Sequence, residues 1–558
     1  MPPTTAAPEK NQTAEATQNV RIIVLDDIAE KGLKMLEQAD GVEFEIHTGL
    51  AGEELQQALE GFHGAVCRSG VRITAEALEG NTTLRAIARA GVGTDNIDKE
   101  AATRLGIVVM NTPGGNTVST AEHTMALILG LSRNLAPAHA SLLAGKWDRK
   151  KFSGRQLQDK VLGIIGLGRI GQEVARRAAA FGMKVVGYDP FLSESQISGL
   201  GVQPCESIDA LLPQVDYLTV HTPLTDETRG LVNRQRLGML KPGVRLINCA
   251  RGGIYDEAAL VEGLESGQIG GVALDVYESE PCTDSPLFSM PNVLCTPHLG
   301  ASTAEAQVQV ATEAVELLIG YLQNGEIRHA VNTAALDPKT IEQLRGYMDA
   351  SYRLGMLLAD WLDGGVESLD IEYFGDIAQQ DHRVLTSALC AGVIARASKR
   401  VNIVNAQSMA RDRGISVNTS THDRHRSLGD MVCCSATGGG QTRKASVSVF
   451  GNDMPRLTGI DDYRTDAFID GNLLLISHRD LPGVIGYIGN ILGQEDINIS
   501  QMAVGRIDQS GGGSAIGVLN LDRPASETAL GKVAEYQGID SVKMVQLPPA
   551  HELPAWMS

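Results

Sequence analysis

The 558-residue chain has no apolar run long enough to span a bilayer: the longest, around Met125 to Leu131, falls far short of the roughly 20 residues a spanning helix needs. Basic charge is also in short supply. Lys and Arg number 48 against 67 acids, a formal net charge of −19, so most of the surface repels nucleic acid and anionic lipid. Neither is an expected partner, and an anionic substrate has to meet a local basic pocket. The eight cysteines, at 67, 205, 249, 282, 295, 390, 433 and 434, include no CxxC pair, so a disulfide framework and the usual zinc spacing are both missing. A reducing, cytoplasmic setting fits best. No metal is expected, since the HDRHR stretch from His422 to Arg426 has no partner ligands at metal spacing. The first 19 residues, rich in Pro, Thr and Ala, lack the apolar segment of a secretory signal and read as a disordered tail.

What is present is globular composition, 43% hydrophobic and 21% charged, over a length that suits about three to four domains. Strand and helix signals alternate from RIIVLD (Arg21 to Asp26) through GIVVM (Gly106 to Met110), the rhythm of parallel β/α units. Ser-Thr-Ala-Glu from Ser119 to Glu122 predicts a helix start, followed by a second series of short apolar strands from KVLGII (Lys160 to Ile165) to NVLCTP (Asn292 to Pro297). A further capping signature at Ser302 to Glu305 opens a helix that stops at Asn324-Gly325. Beyond Ala335 the pattern is mixed and carries Arg396, Lys399, Arg400, Arg411, Arg413, Arg424, Arg426, Arg443 and Lys444, either a second anion site or a solvated charged face. From Asn472 the order is βαββαβ, with a turn at Gly511 to Gly513, which is the ferredoxin-like plan.

Gly166-Leu167-Gly168-Arg169-Ile170-Gly171 follows an apolar strand and opens a helix, so its glycines allow a tight turn and close approach to a pyrophosphate. Asp189 ends the next strand, where a carboxylate accepts from ribose hydroxyls and repels a 2′-phosphate. The expected cofactor is NAD rather than NADP. Hydride transfer from a hydroxyl-bearing carbon to nicotinamide needs a base for the hydroxyl proton, and an acidic substrate needs a cation. Arg251, Glu280 and His298, each near a predicted strand end, fill those needs: Arg251 as the fork for the acid, His298 as base, Glu280 fixing its tautomer and favouring imidazolium.

These residues, with HTPLTDETRGLV from His221 to Val232, resemble the D-isomer-specific 2-hydroxyacid dehydrogenases over Arg21 to about Asn332. The resemblance implies an α/β architecture of two doubly wound parallel-sheet lobes. A Rossmann-type NAD lobe (116–298) is inserted in a flavodoxin-like substrate lobe (20–115 and 299–333). It places Arg169, Ile170, Asp189, Thr222, Cys249, Ala250, Asp275 and Gly300 around NAD, with Cys249 as a backbone contact and not a nucleophile.

Arg68-Ser69-Gly70 and Arg89-Ala90-Gly91, after predicted strands, together with Arg149, resemble the phosphoglycerate-oxidising branch of that family. That branch implies 3-phosphoglycerate as substrate, 3-phosphohydroxypyruvate as product and a place at the head of serine synthesis. It also implies a mixed α+β intervening domain (335–470), a ferredoxin-like ACT domain (471–550) and a homotetramer. The loop His478-Arg479-Asp480-Leu481-Pro482-Gly483 and Asn498 resemble an ACT effector site, with His478, Asp480 and Asn498 expected to hold serine between paired domains. Alternatives stay open at this level: another D-2-hydroxyacid dehydrogenase acting on glyoxylate, hydroxypyruvate or 2-oxoglutarate, or an NAD-sensing corepressor-like binding protein.

Overall fold

Short runs dominated by Val, Ile and Leu pair most readily as parallel strands buried on both faces, because β-branched side chains fill a pleated surface and need no solvent. The computed structural model describes residues 19–333, 338–398, 400–423, 429–451, 453–507, 513–550, 552–554 and 556. In it β1 (Val20–Val24), β2 (Val42–Ile46), β3 (Gly64–Cys67), β4 (Ala86–Arg89) and β5 (Val108–Asn111) form a parallel sheet in the order β2-β1-β3-β4-β5. That is the flavodoxin-like order. Asn332 closes this sheet, accepting from the Val109 amide at 2.9 Å and donating to the Ile107 carbonyl at 2.9 Å.

The second parallel sheet comprises β6 (Val161–Ile165), β7 (Lys184–Tyr188), β8 (Gln203–Pro204), β9 (Tyr217–Val220), β10 (Val244–Asn248), β11 (Ile269–Leu274) and β12 (Val293–Cys295). Its order, β12-β11-β10-β9-β6-β7-β8, reverses direction between β6 and β9. Ligands of doubly wound sheets bind at the carboxyl ends of the strands around such a reversal.

The remaining strands form two sheets without parallel-sheet winding. β13 (Ser368–Phe374), β14 (Ser416–His422), β15 (Met431–Gly438), β16 (Gln441–Phe450), β17 (Met454–Ile460) and β18 (Tyr463–Phe468) make a mixed sheet, parallel only between β13 and β14. The Pro338–Trp361 and Arg383–Ile394 helices contribute Leu354, Leu357 and Leu389 to the core of this region. β19 (Asn472–Arg479), β20 (Ile499–Arg506), β21 (Ser514–Leu521) and β22 (Ile539–Gln546) are antiparallel in the order β20-β21-β19-β22. With the Val484–Gln494 and Glu527–Ala534 helices this is the expected βαββαβ unit.

The described residues fall into two compact units. One holds Leu33–Asn111, Ala314–Ser558 and the chain before Ile28; the other holds Ile28–Gly32 and Thr112–Glu313. All eight cysteines are free, and among the described residues no helix is long and apolar enough to cross a membrane.

Local details depart from the sequence expectations in instructive ways. The helix expected at Ser119 runs from Thr117 to Ser132, so Ser119 lies inside its first turn, donating to the Asn116 carbonyl. Glu122 therefore caps nothing and pairs with Arg177 at 3.3 Å. At the later helix (Ala304–Asn324) it is Thr303, not Ser302, that accepts the Ala306 amide. Half of the six described basic residues of the intervening stretch are neutralised locally: Arg396 pairs with Asp360 at 2.6 Å, Arg443 with Asp461 at 3.1 Å, and Lys444 reaches Glu372 at 3.7 Å. The tail before Asn19, together with Lys399, Arg424, His425, Arg426, Gly511 and Gly512, lies outside the described residues.

One buried cation ties these parts together. Arg353, 1% exposed, pairs with Asp349 one helical turn away at 2.5 Å and donates to the carbonyls of Pro548 at 2.5 Å and Pro549 at 3.0 Å. Replacing it with Met takes the guanidinium away from Asp349 and leaves those carbonyls without their donor. Arg353→Met should lower stability by about 3–5 kcal/mol, read as a fall in urea midpoint and Tm; an unchanged midpoint would show the pair to be dispensable.

Candidate active site

The chain leaves β6 at Ile165 and turns through Gly166 into the Arg169–Ala180 helix. Gly166 has φ +90°, and a Cβ there would lie 2.6 Å from the His221 carbonyl oxygen, so the turn demands glycine. A Cβ on Gly171 would come 2.1 Å from the Gly166 carbonyl oxygen. At Gly168 a Cβ meets nothing within 4 Å, so the exposed Gly168 and Arg169 mark an accessible helix start whose amides can bind an anion. Ile170 packs half-buried against the core beneath.

Asp189 accepts from the Leu167 amide at 2.8 Å and the Phe191 amide at 2.9 Å, which fixes its carboxylate beside the glycine turn. Thr222 Oγ1 is buried without a hydrogen-bond partner among the described residues. Next to it, burial pushes the His221 imidazole down to about 4, which keeps it neutral. A glycine turn at a helix start, an adjacent carboxylate and an orphaned hydroxyl fit the pyrophosphate and hydroxyls of a dinucleotide.

β10 ends at Asn248, whose side chain accepts from the Ala250 amide at 2.9 Å and donates to the Arg251 carbonyl at 2.8 Å, folding Cys249 to Arg251 over the strand end. Burial pushes the Cys249 thiol up to about 12, so it has no thiolate to offer as a nucleophile. A Cβ on Gly252 would fall 1.7 Å from the Tyr277 carbonyl oxygen, so this turn presses directly on the loop that follows β11. That loop carries Glu280. One of its oxygens accepts from the Tyr277 amide at 3.0 Å and the other meets His298 Nδ1 at 2.7 Å. Burial raises the Glu280 pKa, but the His298 hydrogen bond and charge, the Tyr277 amide and the Arg251 charge outweigh it and hold the carboxyl below its ordinary range. Arg251, Glu280 and His298 thus follow three adjacent strands, β10, β11 and β12, and share one electrostatic neighbourhood.

His298 stands at φ +55°, an uncommon conformation for a non-glycine residue, and Asp275 supports it from below. Asp275 is 1% exposed. Its Oδ1 accepts from the Leu299 amide at 2.7 Å and Thr296 Oγ1 at 2.6 Å, with His123 Nε2 at 3.2 Å; its Oδ2 accepts from the Gly300 amide at 2.8 Å. Burial pushes its pKa up, and these four partners overcome that and keep it ionised. His123 and Thr296 escaped the sequence reading. The signal for His123 was a lone imidazole in an otherwise apolar helix, a pattern more often explained by packing.

In the other unit, Cys67 and Arg89 are register partners on β3 and β4, so Arg68-Ser69 and Arg89-Gly91 leave adjacent strand ends. The Arg68 amide is held by Asp26 at 2.5 Å, and the Arg89 guanidinium lies where a Gly91 side chain would be. Arg149 occupies an exposed turn after the Leu135–Leu143 helix. The residues expected to hold serine are not brought together within one chain. Asp480 follows β19 level with Gly513, whereas Asn498 precedes β20 level with Asp522. The eight residues of β21 lie between, so nine steps of about 3.3 Å put the two ends roughly 30 Å apart. Asp480 pairs with Arg506 at 2.9 Å, and His478, 2% exposed, has Nδ1 2.8 Å from the Arg479 carbonyl.

Comparison with known proteins agrees with this geometry. A family model described as the NAD binding domain of D-isomer specific 2-hydroxyacid dehydrogenase matches residues 125–300, and one described as the D-3-phosphoglycerate dehydrogenase intervening domain matches 343–461. The chain is 39% identical over 529 residues to a D-3-phosphoglycerate dehydrogenase of Bacillus subtilis, covering 95% of this chain and 100% of that one. It is 38% identical over 532 residues to the Methanocaldococcus jannaschii protein of that name, again covering 95% and 100%. A solved structure from Thermus thermophilus aligns with a TM-score of 0.52 at 38% identity, over 56% of this chain and 100% of that chain.

Asp275→Asn keeps the shape but removes the charge and places an NH2 against amide donors. It should cost roughly 3 kcal/mol at neutral pH, by the usual worth of hydrogen bonds to a charged acceptor. Because the folded pKa of Asp275 is depressed, its contribution is full above the unfolded value of about 3.9 and is lost as pH falls through the folded value. The gap between variant and parent, followed by thermal melts from pH 7 to pH 3, should therefore shrink on acidification; a constant gap would contradict the charge argument.

Proposed function

The chain belongs to the D-3-phosphoglycerate dehydrogenases of the D-isomer-specific 2-hydroxyacid dehydrogenase family, and from that premise we propose how its own residues carry the reaction. The reaction is the NAD-dependent oxidation of D-3-phosphoglycerate to 3-phosphohydroxypyruvate, which opens serine biosynthesis. NAD, when bound, supplies the hydride acceptor. Gly166, Gly168, Arg169, Ile170 and Gly171 hold its pyrophosphate at the helix start, with Asp189 and Thr222 on its hydroxyls and Cys249, Ala250, Asp275 and Gly300 along the remainder.

The observation that carries the assignment is the 2.7 Å contact between His298 Nδ1 and Glu280 within reach of the Arg251 charge. With Nδ1 committed to an ionised carboxylate, Nε2 is the ring nitrogen left to take the hydroxyl proton, and the resulting imidazolium is stabilised by Glu280. Arg251 grips the substrate carboxylate with a planar fork, so a 2-hydroxy acid is distinguished from a simple alcohol. Arg68, Ser69, Arg89, Gly91 and Arg149 supply donors for the phosphate.

The finer proposals concern assembly and control. Leu143 and Trp147, 76% and 81% exposed, with Leu135 and Leu142 nearby in sequence, form apolar surface suited to a second copy, and the assembly proposed is a homotetramer. The Thr117–Ser132 helix, by contrast, buries most of its side chains. Serine is proposed as effector of the ACT-like βαββαβ unit. The separation of Asp480 from Asn498 makes that site one that only two copies can complete. Eight unpaired thiols suit the reducing cytoplasm.

Initial rates of NAD reduction test the site. His298→Ala should lower kcat by about 10²–10⁴-fold with KM little changed, whereas Arg251→Ala should also raise KM for 3-phosphoglycerate. Near-parental kinetics in both would reject the assignment. The parent should favour 3-phosphoglycerate over unphosphorylated D-glycerate, and equal kcat/KM on both acids would defeat the phosphate argument. Separately, Asp189→Ala should raise KM for NAD and narrow its advantage over NADP; an unchanged cofactor preference would remove Asp189 from ribose recognition.

A further inference from the structure

Far along the chain from the catalytic residues, a cavity of about 360 Å³ is lined by Thr82, Arg85, Tyr352, Ser398, Arg400 and Trp556, among others, all within one compact unit. Its position follows from a tight seam. Asn402 Nδ2 donates to the Gly106 carbonyl at 2.7 Å, and a Cβ on Gly106 would sit 2.7 Å from Asn405 Nδ2, so the loop carrying Arg400 is seated closely on the foot of β5. The wall opposite is aromatic: the Tyr352 and Trp556 rings meet edge to face, with centroids 5.8 Å apart.

The charge of this cavity is the reverse of the molecule's. None of its described lining residues is acidic, and two are arginines. Arg85 lies with its guanidinium 5.9 Å from the Tyr321 ring centroid, and neither it nor Arg400 has a carboxylate partner among the described residues. The bonds at Arg400 among the described residues run through its backbone, to Ser398 Oγ at 3.3 Å and from Asn405 at 3.1 Å. Elsewhere in the same segment Arg396, Arg443 and Lys444 meet acids. A chain with net charge −19 has acids to spare for every guanidinium, yet these two residues line a cavity with no described acid.

We propose that this cavity is a second anion site, for a small organic dianion of the phosphomonoester or dicarboxylate type. The two guanidinium groups take the anionic groups, Thr82 and Ser398 hydroxyls add neutral donors, and Tyr352 and Trp556 cover the carbon skeleton. The volume is near the lower end of the range for small-molecule sites, which run from roughly 300 to 1,000 Å³. An occupant bridges the end of the β1–β5 sheet to the intervening segment, so it stiffens the seam at Gly106. The proposal stands apart from the catalytic reading.

The test is isothermal titration calorimetry on the full chain carrying Arg89→Gln and Arg251→Gln, which removes cations assigned to substrate, at constant ionic strength. Inorganic phosphate and malonate are the separate probes. Saturable millimolar or tighter binding of either probe is expected, weakened at least about tenfold by adding Arg400→Gln or Arg85→Gln and largely kept by Arg400→Lys. Phosphate alone would assign the phosphomonoester class, malonate alone the dicarboxylate class. No saturable heat with either, or equal affinity with and without Arg400→Gln, would overturn the site. In the parent background Arg400→Gln should keep Tm, NAD affinity and kcat within twofold, which separates lost anion binding from misfolding and from any failure of the catalytic assignment.

Discussion

Asp275 has given up nearly all of its hydration, and a carboxylate so placed stays ionised only because Leu299, Gly300, Thr296 and His123 stand in for the lost water. Two of those donors are consecutive backbone amides immediately after His298. Their direction fixes the path of the chain as it leaves β12 and holds His298 at a positive φ that its own side chain disfavours. From that backbone the imidazole meets Glu280, whose second oxygen is pinned by the Tyr277 amide on the same loop. The reactive side chains are exposed by a third to a half, while the carboxylate that positions them is sealed. Precision at the surface derives from charge in the interior.

The same economy of charge runs through the whole chain. Acids outnumber cations by 19, and surface pairs such as Arg234–Glu262 and Arg236–Asp209 contribute little to stability. Arg251 lends its charge to Glu280, and Arg85 and Arg400 line a cavity that holds no described acid. An otherwise repulsive surface thereby guides small anions to a few positions.

Much of the architecture was legible because the central strands of the first two sheets, such as β3, β9 and β10, are short apolar runs with no exposed residue, whereas β2 and β8 at the edges expose Glu43, Glu45 and Gln203. GLGRIG was legible because its glycines answer to contacts of the backbone with itself, as at Gly166 and Gly171. The neighbouring placement of Arg251, Glu280 and His298 was legible through its motifs, since all three follow strand ends. Helix starts were less so: a hydroxyl three residues before a glutamate describes Ser119 and Ser302 equally well, but the backbone begins its turn at Thr117 in one case and caps with Thr303 in the other. His123 was hidden because its partner, Asp275, is 152 residues away and only the sheet brings them together. The separation of Asp480 from Asn498 was hidden likewise, because it depends on both β19 and β20 running antiparallel to β21, which no local pattern encodes.

The buried guanidinium of Arg353 has a temporal meaning as well as a spatial one. It emerges from the ribosome 195 residues before Pro548, the carbonyl it most closely grips. During that interval the Pro338–Trp361 helix can form and engage Asp349, yet the remaining arginine hydrogens face either water or nothing. The intervening segment is thus left unfinished through the synthesis of everything that follows it. The hydrogen bonds from Arg353 to Pro548 and Pro549 can form only once the chain beyond β22 has been made.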